Sequence, residues 1–129
     1  MSLFDHASVG VSDVHRATKF YDGLLATVGA KRLAEHERFA AYGVRTLEFF
    51  VMAPYDGAAA TAGNGVHVAF RAPDAASVSA FHAWALAHGG SCEGPPGPRP
   101  GYPRSDVFIA YVRDPFGNKL EVIAGGFAA

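Results

Sequence analysis

The sequence predicts one α+β domain made of two related halves, each a strand, a helix and several further strands. Three observations carry that prediction. An internal repeat runs through the chain. The hydrophobic pattern of each half switches from a period of two to one of 3.6 and back. A chain of 129 residues is also short enough that its halves, at about 60 residues each, must share one core.

A shift of 61 superposes His6 on His67, Asp13 on Asp74, Phe20 on Phe81, Leu25 on Leu86, Ala26 on Ala87 and Gly29 on Gly90. That is six identities in 24 positions, where composition alone gives about one or two. A second match appears at a shift of 73, where Leu47-Glu48 meets Leu120-Glu121. The insertion of twelve centres on the Gly/Pro-rich stretch 94–103, which reads as a loop, either a plain connection or a lid.

Phe4–Val11 alternates and reads as a strand. Ser12 and Asp13 then offer a helix N-cap, and Val14, Ala17, Phe20, Tyr21, Leu24 and Val28 form an apolar stripe that Gly29 ends. Strands follow at 31–36, 38–43 and 46–53. The small residues from Tyr55 onward link the halves, giving one module at 1–54, a linker at 55–64 and a second module at 65–125. Val66–Ala72 is the next strand. Pro73-Asp74 opens a helix with Val78, Phe81, Ala85 and His88 on one stripe, and Gly89-Gly90 stops it. Val107–Arg113 and Asn118–Ala124 form a hairpin about the turn Asp114-Pro115-Phe116-Gly117.

Composition narrows the function. Eleven Lys+Arg against twelve Asp+Glu leave a net charge of −1, with no basic surplus for a nucleic-acid backbone. The single Cys92 fits a reducing compartment, and its surroundings mark it as an inert thiol. No apolar run is long enough to cross a bilayer, and Met1–His6 lacks the pattern of a signal peptide. The expectation is a cytoplasmic protein with a small-molecule ligand, without nucleic-acid or membrane partners.

Strand alternation sorts the side chains into two faces. Ala7, Val9, Val11, Leu47, Phe49, Val51, Val66, Val68, Phe70, Ala72, Leu120 and Val122 form an apolar face for the helices. The opposite face carries His6, Ser8, Glu48, Phe50, His67, Ala69, Glu121 and Ile123. A single histidine opening a strand is commonly structural. Here an imidazole and a carboxylate come from each repeat, so His6, Glu48, His67 and Glu121 can converge. That donor set suits a divalent metal such as Zn, Ni, Co, Mn or Fe and leaves positions for water or substrate. Glu48 or Glu121 can move a proton. Ser8 and Ala69 leave room beside the metal, and Phe50 and Ile123 supply apolar walls. Arg99, Tyr102 and Arg104 in the long loop are further substrate contacts. His15, His36, His82 and His88 lack such pairing and read as surface or helix-flank residues.

These residues resemble the vicinal oxygen chelate superfamily, which includes glyoxalase I, bleomycin-resistance proteins and extradiol dioxygenases. The resemblance rests on Phe4-Asp5-His6 leading into Val11-Ser12-Asp13, on Phe20-Tyr21 and Gly29, on the stretch from Gly63 to Phe70, and on the stretch from Asp114 to Glu121. It implies two βαβββ modules forming a curved mixed sheet around a cavity, in a homodimer whose modules pair within or across chains. It implies His6, His67 and Glu121 as a three-ligand metal set, with Glu48 as the fourth ligand of glyoxalase-like lyases and isomerases. Without Glu48, the triad would suit Fe(II) dioxygenase or Mn(II) thiol transferase chemistry. The alternative is a metal-free dimer that sequesters its ligand, as bleomycin-resistance proteins do.

Overall fold

The computed structural model describes residues 2–127. The chain runs β1 (Ala7–Gly10), α1 (Val14–Ala26), β2 (Lys31–His36), β3 (Phe39–Gly43), β4 (Phe49–Met52), β5 (His67–Ala72), α2 (Ala75–Ala87), β6 (Ser91–Pro98), β7 (Phe108–Arg113) and β8 (Lys119–Ala124). The first sheet has the order β1-β4-β3-β2 and the second β5-β8-β7-β6. In each, the first strand runs parallel to the last and the others are antiparallel. Two βαβββ modules are therefore present. No helix among the described residues is long and apolar enough to cross a membrane.

Both helices begin where the sequence places them. The Asp13 carboxylate accepts from the Arg16 N–H at 2.9 Å and the Asp74 carboxylate from the Ser77 N–H at 2.8 Å, each satisfying an orphan donor of a first turn. Phe20, Tyr21, Leu24 and Leu25 of α1 and Val78, Phe81 and Ala85 of α2 are buried. One continuous core includes these residues, Val9, Phe49 and Val51 of the first sheet, and Ala72, Leu120 and Val122 of the second. Phe49 meets Phe70 edge to face, with centroids 4.9 Å apart. The helix-side faces of both sheets thus share one interior.

Two contacts lock the modules together. The first is the helix crossing. A Cβ on Gly23 would overlap the Trp84 ring, and the Trp84 indole donates to the Phe20 carbonyl at 3.0 Å. Gly23 and Trp84 are equivalent positions of the 61-residue repeat. One repeat has given up its side chain so that the other can fill the space. The second is a clasp on Asp114, only 3% exposed. Its carboxylate accepts from the Tyr21 hydroxyl at 2.5 Å, from the Phe116 and Asn118 N–H groups at 2.8 Å each, and from the Asn118 amide at 2.9 Å. That amide also donates to the Gly10 carbonyl at 2.9 Å. Burial, then the charge of Asp114, raise the Tyr21 phenol well above its ordinary range, so it stays a donor.

Several expectations need correction. Residues 94–98 belong to strand β6 rather than to a loop. Three prolines are tolerated because β6 is an edge strand and its register with β7 slips at two places. β1 starts at Ala7, not Phe4, because β4, its pairing partner, spans only Phe49–Met52. Residues 44–48 form a turn rather than the start of a strand. A side chain on Gly43 would overlap the Thr46 carbonyl, and the turn closes through Glu48 N–H to the Tyr42 carbonyl at 2.9 Å. Leu47 and Val66, expected on the apolar face, fall outside the strands and are exposed.

Alanine at a helix-interior glycine ordinarily stabilises by about 1 kcal/mol. Gly23→Ala is expected instead to cost about 1–3 kcal/mol, because the methyl group must displace a packed indole; urea unfolding measures it. Tyr21→Phe leaves a buried carboxylate one donor short. It should cost about 1–3 kcal/mol in the same assay.

Candidate functional site

The sheet registers correct the symmetry inferred from the sequence. Ala7 pairs with Phe49 and Val68 with Leu120. Since Ala7 and Val68 are repeat equivalents, Phe49 is equivalent to Leu120, a shift of 71 rather than 73 (120 − 49). Phe50 therefore stands at the place of Glu121, and Glu48 at that of Lys119. The outward faces of the two sheets differ in character as a result.

On the first sheet, His6 lies just before β1. Its Nδ1 is 2.6 Å from the Asp5 carboxylate, and its ring is 5.1 Å from that of Phe50. Phe50 meets Phe39 at 5.7 Å, and Phe39 stacks on His36 at 5.2 Å. Four rings thus form a row on this face. Ser8 is exposed and pairs with Phe50 across the strands. Glu48 lies at the end of the 44–48 turn, where its carboxylate accepts from the Val44 N–H at 3.3 Å. It lines a recess of about 380 Å³ with Leu25, Val28, Tyr42, Phe49 and Phe70.

On the second sheet, the outward face assembles a polar array. His67 opens β5, and its Nε2 lies 3.0 Å from Oε1 of Glu121 on β8. His67 is half-exposed, whereas the Glu121 side chain is 5% exposed. Tyr111 stands opposite Glu121 on β7. The Tyr111 hydroxyl lies 2.9 Å from that of Tyr102, the ring of His67 meets its ring edge to face, and the Lys119 ammonium stands over it at 5.1 Å. Burial first, then the Tyr102 hydrogen bond and the Glu121 charge, push the Tyr111 phenol up, which keeps it protonated at neutral pH. Val107, Ile109 and Ile123 form a buried apolar floor with Tyr102 and Tyr111 against it. Ala69, the β5 partner of Glu121, is exposed and leaves space beside the pair.

Of the residues expected from the sequence, the structure brings together His67, Glu121, Ala69, Ile123 and Tyr102. His6, Ser8 and Phe50 share the other outward face, and Glu48 lies apart from both groups. Arg99 donates to three carbonyls of β6, and Arg104 pairs with Asp106. His82, read as a flank residue, sits 3.2 Å from the Cys92 sulfur, and burial pushes its pKa down. Tyr111 was not anticipated. Its position follows from counting the hairpin register outward from the 114–117 turn, which pairs 111 with 121.

The donor set tests the fit of a divalent metal. His67 and Glu121 supply two donors, and each already engages the other. A first-row ion takes four to six. Among the described residues, no group of three or more His, Cys, Asp or Glu side chains is placed to hold a metal ion. One chain by itself therefore does not fit the group. What the array can do unaided is bind. Glu121 accepts the Nε2–H of His67, which leaves Nδ1 as an acceptor beside an apolar floor.

Comparison with known proteins agrees with the architecture. The family described as Glyoxalase/Bleomycin resistance protein/Dioxygenase superfamily matches residues 3–122. A glyoxalase/bleomycin resistance protein of Albidiferax ferrireducens is 39% identical, with a TM-score of 0.88 over 95% of this chain and 99% of that one. A lactoylglutathione lyase of Agrobacterium tumefaciens shares the fold at 21% identity and a TM-score of 0.66, over 97% and 95% of the two chains. The fosfomycin resistance protein FosX of Listeria monocytogenes does so at 19% identity and a TM-score of 0.69, over 99% and 97%. No curated protein matches the sequence.

A buried carboxylate kept for stability and one kept for ligand recognition respond differently to an apolar replacement. Glu121→Leu removes a desolvated charge, while the Tyr111 hydroxyl retains Tyr102 and His67 faces water. Its thermal midpoint should therefore equal or exceed that of the unaltered protein. A loss above about 1 kcal/mol would mark Glu121 as structural.

Proposed function

The chain belongs to the glyoxalase/bleomycin resistance protein/dioxygenase superfamily, and from that premise we propose that it captures a small oxygen-bearing ligand on the outward face of its second sheet. No metal is needed for that capture, and a homodimer encloses the ligand. The supporting observation is that one chain alone assembles a buried Glu121, a half-exposed His67 and a protonated Tyr111 beside an apolar floor. Sites for small molecules combine these features, an apolar wall and a few convergent polar groups. Nδ1 of His67 accepts from the ligand, Glu121 fixes the imidazole, and Ile123 and Tyr102 flank it. The aromatic row of His6, Phe50, Phe39 and His36 from a second copy supplies the opposing wall, with Ser8 at its edge.

A second reading is a metal-dependent lyase or isomerase using His6, Glu48, His67 and Glu121. One observation favours it: His6 and His67 hold equivalent places on the two outward faces, and His67 already adjoins Glu121. Apposing the outward faces of two copies would bring His6 of one to the His67–Glu121 pair of the other. Zn, Ni, Co, Mn or Fe would then have three protein donors.

Titration calorimetry on chelator-treated protein tests the first reading, with fosfomycin, lactoylglutathione and bleomycin as probes taken from the relatives and the family. Binding of at least one probe without metal, weakened about ten-fold or more by His67→Ala, is the expected result. Metal content per chain tests the second. One equivalent of a divalent ion in the untreated protein, lost in both His6→Ala and His67→Ala, together with no probe binding after chelation, would overturn metal-free capture.

A further inference from the structure

A recess of about 380 Å³ opens where the two modules meet. The first module lines it with the end of α1 and the 44–48 turn, and the second with residues 70–73 at the end of β5. Its floor is apolar. Leu25, Phe49 and Ala72 are buried there, and Phe70 meets Phe49 edge to face. The buried Tyr42 adds its ring, while its hydroxyl is engaged by Asp22 at 2.7 Å. Its rim is charged. Glu48 of the first module and Arg71 of the second both line the recess, and both are exposed. Neither charge is neutralised within the chain. The Glu48 carboxylate has one contact, with the Val44 N–H at 3.3 Å. Among the described residues Arg71 has no hydrogen bond or ion pair, with Glu48 or with any other group.

Charge and burial together define what the recess accepts. An apolar acid would satisfy the Arg71 guanidinium but bring its carboxylate near that of Glu48. An apolar amine would satisfy Glu48 but meet Arg71 with like charge. A zwitterion with an apolar body suits both, through charge-assisted hydrogen bonds at the rim and burial of the body on the floor. The volume lies at the lower end of the range for small-molecule pockets, roughly 300–1,000 Å³, which fits one small molecule rather than a peptide. We propose that this recess is a second binding site, separate from the His67–Glu121 array, for a free α-amino acid with a large apolar side chain. The side chain lies against Phe49 and Phe70, the ammonium faces Glu48 and the carboxylate faces Arg71. Such an occupant touches both modules, so its binding stabilises their junction. Both charges are exposed, so affinity is modest and falls as salt rises. The proposal does not depend on what the His67–Glu121 array binds.

The test titrates the full chain, isotopically labelled, with L-phenylalanine and with two probes that each lack one charge, phenylpropionate and phenylethylamine. Amide chemical shifts give both affinity and location. L-phenylalanine should bind saturably and shift the amides of 25–30, 43–49 and 70–73, and each single-charge probe should bind at least ten-fold more weakly. Glu48→Gln should weaken L-phenylalanine about ten-fold and leave phenylpropionate no weaker. Arg71→Met should weaken L-phenylalanine about ten-fold and leave phenylethylamine no weaker. Both variants alter exposed side chains, and glutamine at 48 keeps an oxygen for the Val44 N–H, so the fold is not at risk. A recess that merely collects apolar molecules would bind all three probes alike, and that result would overturn the proposal. So would an L-phenylalanine affinity unchanged by either variant, shifts confined to other residues, or no binding of L-phenylalanine.

Discussion

The close approach of α1 and α2 at Gly23 and Trp84 sets the rest of the structure. A side chain at position 23 would hold the helices apart, and a smaller residue than tryptophan at 84 would leave the gap unfilled. With the helices in contact, each covers its own sheet and also the other helix, so two modules of marginal size close a single core. The same contact decides where chemistry can occur. The inward faces are consumed by packing, and every polar group available for a ligand must come from the outward faces or from the rims. The Asp114 clasp reinforces this arrangement. It turns the hairpin loop of the second module into a socket for Tyr21 of the first, and its four donors offset the burial of a carboxylate.

Much of this was legible in the sequence, for identifiable reasons. Asp13 and Asp74 are strong caps, and the stripes of both helices have an unambiguous period. The strands at β1, β4, β5 and β8 carry alternation clean enough to assign faces, and the two in the second module put His67, Ala69, Glu121 and Ile123 on one outward face. β6 was missed because prolines argue against a strand unless its position at the sheet edge is known, and edge position is a tertiary fact. Glu48 was matched to Glu121 because both follow a leucine. The backbone turn at 43–48 shifts the true correspondence by two residues, and nothing local reveals which strand register the turn imposes. Tyr111 lay within reach of the sequence once the hairpin had been drawn, since a turn of known length fixes its cross-strand partners.

The duplication has diverged in a particular way. Equivalent positions carry His6 with Phe50 on one sheet and His67 with Glu121 on the other. The first pair is an aromatic contact and the second a charge-assisted hydrogen bond. Retaining one histidine at both sites while changing its neighbour produces two half-sites of unlike polarity from a single ancestral pattern. A ligand with an apolar side and an oxygen-bearing side would match both, which a symmetric pair of faces could not do.

The prolines of β6 have a consequence beyond the register slips they cause. Pro95, Pro96 and Pro98 lack N–H groups, so the outer border of the second sheet cannot template another strand. The outer border of the first sheet, β2, carries Lys31, Arg32 and Glu35, whose charges discourage the same event. The borders left receptive are β1 and β5, both on the side where the two modules adjoin. Accretion of further chains is therefore barred at the periphery of the molecule. Any lengthening of its sheets must begin at the middle, a geometry that favours a closed, countable association over an open-ended fibre.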